Sequence, residues 1–208
     1  MKRSVLTMIA ALVIICTAWG QEKRYEIESA IVKRSSVMKA GFALLSEQTS
    51  IQYFADYGRQ ESAETVMDMA EQKLSVFTMV KDGYVYNANM TANQGTKINM
   101  ADVMDDYKMV NYLNLTDDVK KKYQIEEKGN EQILGKDCTC YEMTLVVQGQ
   151  SIKATVWVWK GLALKSSMNV AGMTVVEEAT EIQEGAAIPK EKFELPEGIE
   201  FQELKMPV

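Results

Sequence analysis

From residue 135 onward the chain alternates apolar and polar positions in runs punctuated by glycine. Gly135, Gly149, Gly161, Gly172 and Gly185 lie 14, 12, 11 and 13 residues apart, with a β-branched or aromatic run in each interval. That rhythm predicts an antiparallel meander. Between the first two, Tyr141, Met143, Leu145 and Val147 alternate with Cys140, Glu142 and Thr144, so one face is buried and the cysteines lie on the other. In the next run Ile152, Ala154, Val156 and Val158 oppose Lys153, Thr155, Trp157 and Trp159. Both faces are partly apolar, which predicts a central strand covered on both sides.

The first half reads similarly. Residues 25–34 predict a strand with Tyr25, Ile27 and Ile31 on one face, and residues 42–47 and 49–57 predict two more. Asp82-Gly83 is a strong hairpin signal that pairs residues 76–80 with 84–90. The stretch 61–74 favours strand through alternating Thr65, Met67 and Met69, although residues 70–73 tolerate helix. The middle changes period. Asn99 can cap a helix with Met100, Val103, Met104 and Tyr107 on one face. Thr116 can cap a second, with Asp117 and Asp118 in the first turn and Lys120, Lys121 and Lys122 in the last. The organisation is therefore about six strands, one or two short helices, then five strands, with no linker or internal repeat, and it reads as one domain.

The N-terminus carries an address. Lys2 and Arg3 precede an apolar run over residues 5–16 that is too short to span a bilayer and suits a signal-peptide core. Small residues at Ala18 and Gly20 place cleavage after Gly20, so residues 1–20 are a cleaved signal peptide and 21–208 the mature domain. Lipidation at Cys16 is disfavoured because Val13, Ile14 and Ile15 precede it. The expected location is an oxidising extracytoplasmic space such as a periplasm, with no transmembrane segment in the mature chain.

Charge and chemistry narrow the function. Of 208 residues, 23 are basic and 29 acidic, and removal of Lys2 and Arg3 leaves the mature domain at −8. Such a domain repels phosphate backbones and anionic headgroups, which excludes nucleic acid as an expected partner. There is no histidine, so triads, imidazole bases and His-bearing zinc sites are excluded. Cys138 and Cys140, two apart on one strand, would sit roughly 6.6 Å apart, near the upper limit for a disulfide, and read as free or locally paired. Neither a metal nor a cofactor is expected. Paired carboxylates such as Glu177-Glu178 point to opposite faces of a strand and cannot act together.

Twelve methionines remain after cleavage, and Met79, Met90, Met100, Met104 and Met143 fall at positions expected to face inward. An unbranched, polarizable side chain suits a lining that adapts to flexible acyl chains, and equally fills an irregular core. Tyr84 and Tyr86 share one strand face, and Trp157 and Trp159 another. Each pair could line a pocket mouth or pack across strands.

Three stretches carry a resemblance: Lys81-Asp82-Gly83-Tyr84-Val85-Tyr86, Trp157-Val158-Trp159-Lys160-Gly161-Leu162-Ala163-Leu164-Lys165, and Ile188-Pro189 with Phe193-Glu194-Leu195-Pro196-Glu197-Gly198. In this order behind a signal peptide, over most of residues 25–201, the chain resembles the lipoprotein-sorting, LolA/LolB-like superfamily, in particular relatives from Bacteroidetes-type bacteria. The resemblance implies an α+β, mostly β fold. A single curved antiparallel sheet, a half-open barrel, would have its concave face covered by short helices. In the best-known relatives that cavity carries lipoprotein acyl chains, and an arginine latches the helical lid. None of Arg24, Arg34 or Arg59 sits in a supporting motif, so no latch residue is carried over.

The leading expectation is a non-enzymatic periplasmic binding or carrier protein for an apolar ligand, lipid or lipoprotein acyl chain. Its cavity candidates are Met79, Tyr84, Tyr86, Met90, Met100, Met104, Tyr107, Trp157 and Trp159. The alternative is an envelope sensor or protein-interaction domain of the same fold, bound to an envelope protein and without lipid transport. An enzyme ranks third, since no nucleophile, phosphate-loop or metal motif is present.

Overall fold

The computed structural model describes residues 23–69, 72–100, 110–147, 150–170 and 172–204. Alternation of side chains produces one large, open, curved sheet. Its strands are β1 (Ala30–Ala40), β2 (Ala43–Ala55), β3 (Gln60–Met69), β4 (Gln72–Lys81), β5 (Tyr84–Asn89) and β6 (Gln94–Asn99), then β7 (Glu126–Ile133), β8 (Lys136–Val147), β9 (Gln150–Trp159), β10 (Leu162–Val170), β11 (Met173–Glu184) and β12 (Phe201–Glu203). The spatial order is β12-β6-β5-β4-β3-β2-β1-β11-β10-β9-β8-β7. Two meanders thus meet where β1 pairs with β11. Every pairing is antiparallel except the edge pair β12–β6, which is parallel.

Several expectations change in detail. Residues 25–29 are not strand: the backbone N–H groups of Arg24 and Tyr25 go to Tyr57 O (3.0 and 3.2 Å), and that of Glu26 to Lys160 O (3.0 Å). This segment crosses one end of the sheet and ties two turns together. Ile31 consequently leaves the face of Tyr25 and Ile27, and Val32 takes the buried position. The predicted strands 42–47 and 49–57 are one continuous strand, because β1 and β3 offer it ladder partners through the polar residues 48–50. Of residues 61–74, 61–69 are strand in β3 and 72–74 in β4, while 70 and 71 lie outside the described residues. The Asp82-Gly83 hairpin joins β4 to β5 in the expected register, with Val80 opposite Val85 and both turn residues left-handed (φ 51° and 79°).

The helix expected over 100–107 lies outside the described residues beyond Met100. The second is α1 (Asp117–Tyr123): Thr116 Oγ1 accepts from Val119 N (3.3 Å), and acidic and basic residues occupy the two ends as expected.

Register defines two faces. The row Met143, Ala154, Met168, Val175, Met38 and Ser46 runs across five strand pairings on one face, here the inner one. Residues 110–125, including α1, pack on this face through Val110, Tyr112, Leu115, Val119, Tyr123 and Ile125 against Met143, Ala154, Val156 and Val158. The C-terminal segment covers the opposite, outer face of β3–β6: Leu195, Ile199 and Phe201 pack on Phe77, Met79 and Ala88. Phe201 lies so close to Gly95 that a Cβ there would stand 2.6 Å from its ring. A third cluster, with fully buried Phe54, Leu164 and Val32, fills the end crossed by residues 24–29. There Gly161 leaves room for the crossing chain, since a Cβ would meet Arg24 O at 2.4 Å.

Candidate functional site

Along β1 the inner face reads Ala30, Val32, Arg34, Ser36 and Met38, and along β11 it reads Val175, Glu177 and Ala179. Arg34 and Glu177 are therefore charges in phase with apolar positions, and the fold buries both. Arg34 donates through Nη1 to Ala163 O (2.8 Å) and through Nη2 to Gln52 Oε1 (2.7 Å), with Glu177 Oε1 at 3.7 Å from Nη1. Gln52 on β2 in turn donates through Nε2 to Glu61 Oε1 (2.7 Å). Glu61 on β3 also accepts from Tyr25 OH (3.1 Å) and is ion-paired with Arg24, whose Nε reaches Gly58 O (2.9 Å). Gln52 thus joins two buried ion pairs into a polar seam across β11, β1, β2 and β3.

Burial sets the electrostatics of this seam. Desolvation pushes the Glu61 carboxyl above its ordinary value, opposed by the Arg24 charge and by hydrogen bonds from Gln52, Arg24 and Tyr25. It raises Glu177 likewise, with Arg34 opposing. The seam continues through Ser50, opposite Arg34, to Thr65, opposite Ser50. Thr65 is fully buried, and its Oγ1 has no hydrogen-bond partner among the described residues.

Beyond the seam the inner face carries apolar side chains beside polar ones, among them Thr78, whose hydroxyl donates to Asn87 Oδ1 (3.0 Å), and Asn89, Gln94 and Thr96. Ala63, Met67 and Val85 are buried there, whereas Leu74, Val76, Val80 and Ile98 keep part of their surface open. The registers Ala63–Thr78, Met67–Leu74, Val80–Val85 and Val85–Ile98 put them on one surface of β3–β6. Among the described residues, the core clusters place no segment over it; the C-terminal segment covers the other side. A half-covered apolar trough, bounded on one side by a buried polar seam, is the candidate site.

Of the residues singled out from sequence, Met79, Tyr84, Tyr86, Trp157 and Trp159 stand on the outer face. Met79, 2% exposed, is on the outer face beneath the C-terminal segment. Tyr84 and Tyr86 join it there, their rings 6.1 Å apart, with Tyr86 edge-on to Phe201 at 5.2 Å and Lys97 Nζ 4.8 Å from the Tyr84 ring. Trp157 and Trp159 are also outer, packed on the end cluster with Lys165 and Lys136 over their rings (4.8 and 4.5 Å). Met90 is exposed at the β5–β6 turn, and Met100, half-buried, follows β6. Met104 and Tyr107 lie outside the described residues. The structure therefore brings Met79, Tyr84 and Tyr86 together, but against the chain's own C-terminus, and does not join them to the tryptophans. Cys138 and Cys140 are free thiols on the outer face, with Cys138 fully buried and its pKa raised by that burial.

Sequence reasoning missed Arg34, Gln52, Glu61 and Glu177. Glu177 carried a signal, standing in phase between Val175 and Ala179, whereas the phase read from Tyr25, Ile27 and Ile31 put Arg34 on the other face. Gln52 and Glu61 become legible only once β1, β2 and β3 are in register. Among the described residues no group of three or more acidic or thiol side chains could hold a metal, and no helix is long and apolar enough to cross a membrane.

No family model matches the chain, and no curated protein matches it in sequence. Solved structures do. An uncharacterised conserved protein from Thermus thermophilus superimposes with a TM-score of 0.50 at 10% identity, covering 84% of this chain and 90% of that one. A domain assigned to outer membrane lipoprotein sorting, from Vibrio parahaemolyticus, gives 0.42 at 12% identity over 82% and 91%. A chain of the Pseudomonas aeruginosa MucA/MucB complex gives 0.47 at 13% identity, covering 80% of this chain and 56% of that one. These likenesses concern the fold, and the open curved sheet with a helix on its inner face is the architecture that the lipoprotein-sorting resemblance implied.

Proposed function

We propose that this chain is an extracytoplasmic, non-enzymatic binding or carrier protein that shelters an apolar ligand, lipid or lipoprotein acyl chain, in the trough on the inner face of β3–β6. One observation carries the reading: Leu74, Val76 and Val80 on β4, with Ala63, Met67, Val85 and Ile98 beside them, put apolar area on the inner face among polar neighbours, while the chain's own C-terminal segment packs on the outer face. A sheet with one face packed ordinarily presents polar side chains on the other. Leu74, Val76, Val80 and Ile98 instead keep apolar area partly open, and covering such area stabilises by about 25 cal/mol per Å². The polar seam bounds the trough and holds β1, β2, β3 and β11 in place without offering a nucleophile or a metal cage.

The test is organic extraction of the purified mature chain followed by mass spectrometry, beside a Val76→Asp variant whose folding is checked by circular dichroism. The expected result is copurified acyl lipid in the wild type and a loss of about tenfold or more when a charge enters the trough. A folded wild-type protein that yields no lipid would sink the carrier reading and favour the envelope-sensor alternative.

A further inference from the structure

Charge is divided unevenly between the two faces of β3–β6. Glu64, Asp68, Lys73, Lys81 and Lys97 all stand on the outer face, in phase with Phe77, Tyr84 and Tyr86. On the inner face of these strands the only charged residue is Glu61, which is 3% exposed and already paired with Arg24. A band of uncharged hydrogen-bonding groups crosses this face instead. Thr78, Asn87 and Thr96 stand side by side on β4, β5 and β6. Val80, Val85 and Ile98 form the row on one side of the band, and Val76, Asn89 and Gln94 the row on the other.

The band is set to donate. Thr78 is buried, and its hydroxyl donates to Asn87 Oδ1 (3.0 Å). That bond commits Oδ1 to β4 and leaves Nδ2 as the open donor of the amide. Asn87 and Thr96 are half-buried, and among the described residues neither Asn87 Nδ2 nor Thr96 Oγ1 has a hydrogen-bond partner. In the row of Val76, the buried Thr65 hydroxyl also lacks a partner, so this floor is short of acceptors.

These features select the polar part of a ligand. A carboxylate brought into a half-covered trough loses hydration, and no cation stands on this face of β3–β6 among the described residues to compensate. The charge of −8 on the mature domain adds repulsion. A bare hydrocarbon fails for a different reason. Laid across Asn87 and Thr96, it strips water from two donors and gives them nothing in return. An ester carbonyl carries no charge and only accepts, so it suits both donors.

We propose that Asn87 and Thr96, the former oriented by Thr78, hold the carbonyl of a neutral acyl ester whose chain lies along Val80 and Ile98, and that they set the selectivity of the trough against ionised fatty acids. This rests on the carrier reading and names what such a carrier selects.

The test offers the ligand-stripped mature chain an equimolar mixture of monooleoylglycerol, its ether analogue oleylglycerol, and oleate. The lipid that co-elutes on gel filtration is then quantified by mass spectrometry. The three share one chain length, so their apolar contribution is constant. The ester is expected to exceed the ether about fivefold, for the lost carbonyl, and oleate about tenfold or more. Asn87→Asp keeps an oxygen for Thr78 but loses the donor, and Thr96→Val keeps the shape but loses the hydroxyl. Each is expected to reduce the preference for ester over ether to about twofold or less, whereas Thr96→Ser retains it. Circular dichroism checks the fold, and the two Thr96 variants decide the matter if Asn87→Asp does not fold. Equal retention of ester and ether, a preference for oleate, or an undiminished preference in Thr96→Val would overturn the proposal and leave the carrier reading standing. Retention of none of the three would end both.

Discussion

Arg34 and Glu177 occupy positions where strand alternation calls for apolar side chains, and taking each into the interior costs several kcal/mol of hydration. The fold offsets this by giving Arg34 a carbonyl, an amide oxygen and a carboxylate, and by linking it through Gln52 to the Glu61–Arg24 pair. Removing one partner of such a pair exposes the desolvation penalty of the other, so the seam specifies how β11, β1, β2 and β3 meet more than it adds stability. Thr65 is the exception, a buried hydroxyl with no partner among the described residues. Thr65→Val keeps the shape and removes the orphan, and is expected to stabilise the fold by about 1 kcal/mol. Urea midpoints of the two proteins check this, and a destabilised valine variant would mean that the hydroxyl has a partner. Glu177 could be read from its phase between Val175 and Ala179, whereas Arg34 becomes a buried charge only once Val32 replaces Ile31 on the inner face, and Thr65 resembles any other strand threonine until its neighbours are known.

At the scale of elements, local signals worked where the chain solves its own hydrogen bonding. Asp82-Gly83 turns as its residues demand, and Thr116 caps α1 with its own hydroxyl. They failed where partners are remote. Residues 25–29 carry strand-like alternation, but their N–H groups are taken by turns at Tyr57 and Lys160, and β12 is strand only because the β6 edge offers it a ladder. Gly95 permits that docking by leaving room for Phe201 and Ile199. Gly95→Ala is therefore expected to cost about 1–3 kcal/mol, mostly as a loosened C-terminal segment. Faster amide exchange at Gln202 and Glu203, with β8–β9 unchanged, is the signature. Unchanged exchange there would show that the segment is held by Lys192, which contacts Glu64 at 2.6 Å and the Tyr53 ring at 4.7 Å.

For the whole molecule, the buried acids set a pH dependence. Glu61 and Glu177 hold their protons more tightly when folded than when unfolded. The stability each contributes is fully present below the ordinary value of 4.5 and is lost as pH rises through the higher folded value. Wild-type stability should thus gain on that of Glu177→Gln as pH falls from 7 toward 5. Parallel urea midpoints across that range would show that Glu177 ionises as an exposed acid does. The sequence by itself determined the strand rhythm, the Asp82-Gly83 hairpin and the α1 cap, because alternation, turn conformation and capping depend on residues within a few positions of one another. Only the tertiary structure decided which aromatic pairs face outward, which charges meet inside and where the trough lies. A residue's face is settled by register with strands far away in the chain, and one bulge or one crossing segment, such as residues 24–29, reverses it.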